Sequence, residues 1–215
     1  MRTGRVVGVD NRHEPPAAPD EGWVARLWHE QADRDPALHT HSIHVGTVAS
    51  LLAREIGFSE EDVLKVQLAS LFHDIGKLDI PREILYAPRR LTPEERRLVE
   101  LHSIYGSRRL RQIGETPMLA FVEDVALHHH ERFDGTGYPE KLAGAQISLP
   151  ARIATVGDVY AALWERRSYK AAMSHDAVLA SMTEGDERMS PAMFDPQVLD
   201  ALKTSMPKLK QAMAE

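Results

Sequence analysis

The residues best suited to chemistry in this chain are histidines and aspartates that lie on otherwise apolar helical stripes. The segment 71–77, LFHDIGK, places His73 and Asp74 next to each other at the end of a predicted apolar helix. A carboxylate that is buried without a partner is costly, and a salt bridge or a metal ion is the usual solution. The sequence therefore indicates a functional site at Asp74.

Other groups on predicted helices share this character: His41, His102, His129, His130 and Asp158. A single histidine on an apolar stripe is more often a hydrogen-bonded core residue than a ligand. Seven such groups would each need a separate partner, so together they favour a metal centre. The chain has no cysteine, and imidazole with carboxylate suits iron, manganese, nickel or zinc. Seven ligands are too many for one zinc ion and fit two metals, although periodicity alone does not exclude His128.

Composition narrows the classes of partner. The 215 residues carry a net charge of −6, with lysine and arginine scattered along the chain. We expect no binding to polymeric nucleic acid or to anionic membranes, because both need a basic face. No apolar run approaches the ~18 to 20 residues of a membrane-spanning helix, so we expect a cytoplasmic protein.

The elements that must position these groups are predicted to be helices. Residues 1–22 are rich in proline and form a poorly structured lead-in, and residues 23–215 form the functional domain. Helices are expected over 23–32, 40–56, 59–73, 92–113, 118–131, 153–166 and 174–183, with a last one capped by Asp195. The fold class is all-α, with irregular connections at 76–91 and 131–152.

The motifs resemble the HD superfamily of metal-dependent phosphohydrolases. Residues 73–77, HDIGK, match its defining pair, and residues 129–139, HHERFDGTGYP, are similar to the HD-GYP branch. Further matches occur at 41–42, 91–95, 102–106, 151–159, 167–170 and 194–196. The resemblance covers roughly residues 38–200 in the expected order, and it implies an HD-type helical bundle.

The resemblance implies two divalent metal ions, iron or manganese, held by His41, His73, Asp74, His102, His129, His130 and Asp158. Asp74 would bridge them and, with Lys77, serve catalysis. The implied reaction is hydrolysis of cyclic di-GMP to the linear dinucleotide, and to GMP, by a hydroxide between the metals. Substrate contacts would come from Gly137, Tyr138, Pro139, Arg167 and Lys170. The same loop would contact diguanylate cyclases or other signalling proteins.

The remaining histidines match no motif position, and we expect packing or surface roles for them: His13, His29, His39, His44 and His175, with His128 outside the ligand set. Ala37 stands where some members carry a glutamate that supports a third metal, so we expect two metals. Asp79 and Ala87 replace the usual glycine and lysine and make the electrostatics less favourable to an anion. Ala161 and Ser168 replace the usual aspartate and proline.

Three alternatives stay open at this point. The chain could be an HD-type hydrolase of another cyclic dinucleotide or nucleotide, which substrate competition would reveal. It could also be a catalytically silent nucleotide-binding or docking module, or a purely structural helical domain that purifies without metal. We expect no receiver or sensor domain before residue 38, so that regulation would come from a separate protein, oligomerisation or expression.

Overall fold

The computed structural model describes residues 22–165, 173–187 and 189–213. The helices are α1 (Trp23–Arg34), α2 (Pro36–Ile56), α3 (Glu60–Leu71), α4 (Arg82–Leu85), α5 (Pro93–Glu100), α6 (His102–Ile113), α7 (Pro117–His128), α8 (Leu149–Trp164), α9 (His175–Glu184) and α10 (Pro196–Ala212). These described residues contain no strand, so the all-α prediction is confirmed. The predicted lead-in lies, except for residue 22, outside the described part of the chain.

Short polar side chains begin most of the helices. Ser59 accepts a hydrogen bond from the Asp62 backbone N–H, which starts α3. Thr92 and Glu95 form a reciprocal capping box at the start of α5, as the sequence predicted. Asp35 caps α2 with a proline at the first helical position. This cap explains why α2 begins at residue 36, four residues before the predicted start.

The prediction of one continuous helix over residues 92–113 is wrong. The chain breaks at Leu101, whose N–H turns back to the carbonyls of Leu98 and Val99, so that α5 and α6 are separate helices. No glycine or proline marks the break. The connection at 76–91 is less irregular than predicted, since Ile75–Asp79 form a 3₁₀ helix and α4 follows.

The apolar side chains form two clusters that together stabilise the helices. One contains residues of α2, α3, α8, α9 and α10, and the other contains residues of α1, α3, α6, α7 and Ala154 of α8. Gly157 lets α2 and α8 lie close together, because a Cβ there would be 3.3 Å from the Val45 carbonyl oxygen. Among the described helices, none has the length and apolar character needed to cross a membrane.

Candidate metal centre

Two groups of candidate ligands lie side by side in the interior. The first cluster contains Asp74, His102, His129 and His130, and the second cluster contains His41, His73 and Asp158. Within each cluster, one ligand atom from every residue lies within 4.8 Å of the others. The structure therefore brings together all seven groups that the sequence singled out and divides them into four and three.

Asp74 contacts both clusters. Its Oδ1 lies 3.1 Å from His102 Nε2 and 3.5 Å from His129 Nε2, both in the first cluster. Its Oδ2 lies 3.2 Å from Nε2 of His73, which belongs to the second cluster. The Asp74 side chain is fully buried. A carboxylate at this position can share its two oxygens between two cations.

Helix ends set the orientation of three imidazole rings. His73 Nδ1 lies 2.7 Å from the Ser70 carbonyl oxygen, and His102 Nδ1 lies 2.6 Å from that of Val99. His129 Nδ1 is 3.1 Å from the Ala126 carbonyl oxygen. A proton held on Nδ1 leaves the Nε2 lone pair directed into the centre, which is the usual arrangement behind a metal-binding histidine.

The remaining pair of the second cluster joins two helices. His41 of α2 places Nε2 2.9 Å from Asp158 Oδ1 of α8. On the other side of the same ring, Nδ1 lies 3.0 Å from each carboxylate oxygen of Glu165. His41 thus sits between two carboxylates, whereas the other three rings rest on backbone carbonyls.

Charges in the first cluster favour ionised carboxylate and neutral imidazole. Burial alone would raise the pKa of Asp74, but Lys77 and His73 hold it well below its usual value. Burial lowers the pKa of His129 to about 4. It also lowers the pKa of His130, helped by the neighbouring histidines. These are the protonation states in which the side chains can bind a metal ion.

The second cluster differs in its protonation. Burial would lower the pKa of His41, but its hydrogen bonds with Asp158 and Glu165 raise it to about 9. Burial would likewise raise the pKa of Asp158, yet the neighbouring His41 keeps it well below the ordinary range. A metal ion entering this cluster would therefore compete with a proton on His41.

The orphaned polar atoms support a metal site. His73 Nε2 and Asp74 Oδ1 are buried and lack a well-aligned hydrogen-bond partner among the described residues. Leaving such atoms unsatisfied is costly unless a cation takes the partner's place. Imidazole nitrogens and carboxylate oxygens without thiolates suit divalent transition metals. The side chains therefore fit such ions.

The loop after α7 closes over the first cluster. The Tyr138 ring stacks on His130 with centroids 4.8 Å apart. Gly137 is required there, because a Cβ would lie 2.4 Å from the Arg132 backbone nitrogen. The buried Glu131 carboxylate accepts hydrogen bonds from two backbone N–H groups farther along the loop, at 2.6 and 3.1 Å. Tyr138 and Gly137 thus lie beside His130, and the role of this loop in binding substrate stays a prediction.

The predicted cations fall in different places. Lys77 Nζ pairs with Asp74 Oδ2, and its side chain is 22% exposed. Asp79, expected to disfavour an anion, pairs with Arg109 at 2.6 Å, so its charge is compensated within the fold. Arg167 and Lys170, together with Ser168, lie outside the described residues.

The histidines expected outside the centre have other surroundings. His128 pairs with Asp124 at 2.8 Å, and His44 lies 2.8 Å from Glu165. His39 packs on Trp28, and His175 stacks on Trp164. The His29 side chain is exposed. None of these residues belongs to either ligand cluster. His13 lies outside the described residues.

Two carboxylates that contact the candidate site or its loop were missed from the sequence. Glu131 follows His130 directly, and its place inside an otherwise loop-like segment could have suggested a buried anchor. Glu165 follows Asp158 by seven positions, and seven residues bring side chains to the same face of a helix. That spacing was the available signal.

A family model described as HD domain matches residues 29–198. The chain belongs to the HD domain family. This match, together with the relatives described below, confirms the predicted resemblance to the HD-GYP branch. The described structure is similar to that of Bd1817, an HDG"Y"P protein from Bdellovibrio bacteriovorus, with a TM-score of 0.61 and 17% sequence identity. The similar region covers 80% of this chain and 53% of that chain.

The curated relatives are named for two different substrates. The chain is 39% identical to "Cyclic di-GMP phosphodiesterase response regulator RpfG" of Xanthomonas campestris, over 87% of this chain and 48% of that protein. It is 38% identical to "3'3'-cGAMP-specific phosphodiesterase 3" of Vibrio cholerae, over 80% of this chain and 36% of that protein. The chain thus spans half or less of the length of these relatives.

Proposed function

We propose that this chain is a metal-dependent phosphodiesterase that hydrolyses cyclic di-GMP to the linear dinucleotide, with further cleavage to GMP. The observation that carries the proposal is the meeting of seven imidazole and carboxylate groups around Asp74. The relatives named as cyclic di-GMP phosphodiesterases support the choice of substrate. Two divalent ions, iron or manganese, would supply Lewis acidity and an activated water molecule when bound.

The side chains of this chain would hold the ions, stabilise the developing charge and border the substrate. The seven candidate ligands would hold the ions, with Asp74 shared between them. Lys77, beside Asp74 and partly exposed, would stabilise the negative charge that develops on the phosphoryl oxygens. Tyr138 would form an aromatic wall over His130, and Gly137 and Pro139 would shape the loop that borders the substrate. Arg167 and Lys170 are proposed phosphate contacts on the family resemblance alone.

A second substrate has its own support. The relative named as specific for 3′3′-cGAMP is as similar to this chain as the cyclic di-GMP enzyme, at 38% against 39% identity. Both molecules present the same phosphodiester ring to a metal centre and differ in one purine base. We rank cyclic di-GMP first and treat 3′3′-cGAMP as the competitor.

The loop after α7 offers exposed side chains, including Arg132 and Thr136. We include in the proposal that a diguanylate cyclase or another signalling protein contacts this exposed edge. Such a contact would bring the supply and removal of the cyclic dinucleotide together. A pull-down with an R132E variant as control tests it.

The decisive experiment is turnover by metal-loaded protein. The chain is purified without chelator and loaded anaerobically with Mn²⁺ or Fe²⁺. Consumption of cyclic di-GMP and of 3′3′-cGAMP is then followed by chromatography together with metal content. Linear dinucleotide from cyclic di-GMP at near two metals per chain is the expected result. Two metals without turnover of either substrate would favour a silent nucleotide-binding module.

A further inference from the structure

We infer that Glu165 is a positioning residue for His41, and that it holds the imidazole so that Nε2 faces Asp158 and the second cluster. The inference rests on the metal centre proposed above. Glu165 ends α8, and both of its carboxylate oxygens lie 3.0 Å from His41 Nδ1.

The need for such a residue follows from where His41 lies in its helix. The last carbonyl groups of a helix have no partner four residues farther on. His73, His102 and His129 follow helix ends, and each ring is held by a carbonyl three residues before it. Their alignment therefore comes from the backbone itself.

His41 lies instead inside α2, which runs from Pro36 to Ile56. Carbonyls in the interior of a helix are engaged by the N–H groups of the following turn. The ring must therefore find an acceptor on another element, and Glu165 provides it from α8. The same carboxylate lies 2.8 Å from His44 Nδ1, which fixes it between two histidines of α2.

The geometry suits a carboxylate that supports a ligand rather than one that binds the metal itself. Glu165 contacts the face of His41 opposite to Asp158, and its side chain is 15% exposed. Accepting the Nδ1 proton leaves the Nε2 lone pair for a cation and makes the ring a stronger donor. Loss of such a partner typically weakens metal affinity or activity by about ten- to a hundredfold.

Removal of the Glu165 carboxylate should weaken metal binding in only one of the two clusters. No described interaction joins Glu165 to the first cluster, in which the His102 and His129 rings rest on backbone carbonyls. Removing the carboxylate should therefore weaken one bound metal and spare the other. A side chain that only stabilised the fold would not discriminate between two neighbouring sites.

The test is a binding titration of the full chain with Mn²⁺, in which free Mn²⁺ is measured by electron paramagnetic resonance. Glu165→Ala should weaken one of two binding steps by about ten- to a hundredfold and leave the other unchanged. Glu165→Gln should recover part of the loss, because its amide oxygen still accepts the Nδ1 proton. Glu123→Ala is the matched control, since Glu123 is similarly buried at 18% exposure and pairs with Arg111 away from the centre.

The outcomes separate this inference from the proposed function. Wild-type binding steps in Glu165→Ala, or equal weakening of both steps, would overturn the role of Glu165 and leave the metal centre intact. A wild-type chain that binds no Mn²⁺ would overturn the metal centre and the inference together. Melting temperatures of the metal-free variants should match the Glu123→Ala control, and a much larger drop in Glu165→Ala would assign it a structural role instead.

Discussion

The two ligand clusters differ in how many of their ligands lie inside helices. In the first cluster, His102 begins α6 after a chain break and His129 follows the last turn of α7. In the second cluster, His73 also follows a helix end, but His41 and Asp158 come from the interiors of α2 and α8. Ligands at helix ends obtain their alignment from free carbonyls, whereas ligands inside helices depend on side chains of other elements. Substitutions outside the ligand set should therefore change metal binding in the second cluster more than in the first.

The clusters also differ in how strongly protons compete for them. The pKa of His129 is lowered to about 4, so this ring is neutral throughout the physiological range. The pKa of His41 is raised to about 9 by its two carboxylate neighbours. One cluster is ready for a metal at neutral pH, and the other must first release a proton.

The largest expected effect comes from removing the residue that both clusters share. Asp74→Ala should abolish metal binding in both clusters, and turnover with it, because each cluster loses a carboxylate oxygen. Metal analysis and product chromatography measure the result, and Asp176→Ala, at an exposed position in the first turn of α9, is the control. Full activity with empty sites in Asp74→Ala would refute the shared-ligand arrangement.

Single-cluster substitutions come next in size. His102→Ala should remove the metal of the first cluster and leave about one metal per chain, and His41→Ala should do the same in the second. Metal analysis of both variants after identical loading provides the measurement. If either substitution emptied both clusters, the centre would behave as one coupled site, and the two clusters would not bind metal independently.

Lys77 contacts Asp74 without belonging to either cluster. Lys77→Ala should keep both metals and lower turnover by roughly a hundred- to a thousandfold, as for loss of one transition-state stabiliser. The kinetic readout is kcat at saturating substrate and metal. Unchanged kcat would remove Lys77 from the mechanism and leave it as the ion-pair partner of Asp74.

A pH series sharpens the electrostatic difference. Because His41 holds its proton below a pKa of about 9, metal affinity in the second cluster should fall as the pH is lowered. The fall should be about tenfold per pH unit for one displaced proton. Affinity in the first cluster should not follow the protonation of His129 until the pH nears 4. Mn²⁺ titrations at about pH 6.5 and about pH 8.5 test this, and parallel weakening of both steps would contradict it.

The smallest expected effect concerns the loop that borders the first cluster. Glu131→Ala removes the acceptor of two backbone N–H groups and should lower the free energy of unfolding by about 1–3 kcal/mol. Urea denaturation measures the change, with Glu140→Ala, at an exposed position, as control. A loss no larger than in the control would show that the loop holds its shape without Glu131.

Much of the site could be predicted because its signals are local. The HD pair and the position of Asp158 on an apolar helix follow from residue type and spacing, whereas the family resemblance selected His129 and His130 from three consecutive histidines. The split into two clusters could not be predicted, because it depends on the distances between side chains that come from different helices.

The errors in the fold have a similar origin. The break at Leu101 carries no glycine or proline, so the local sequence contains no signal for it. Glu165 follows Asp158 at a helical spacing, but no local pattern indicates its contact with a histidine 124 positions away. Local patterns therefore located the ligands, and tertiary contacts decided what supports them.

The large sequence separation between the ligands of the second cluster has a consequence for how the domain folds. His41 and Asp158 are separated by 117 positions, whereas His102 and His129 are separated by 27. Contacts between remote segments close a longer loop and cost more chain entropy than contacts between nearby segments. Metal uptake by the second cluster would therefore report that α8 has docked on α2.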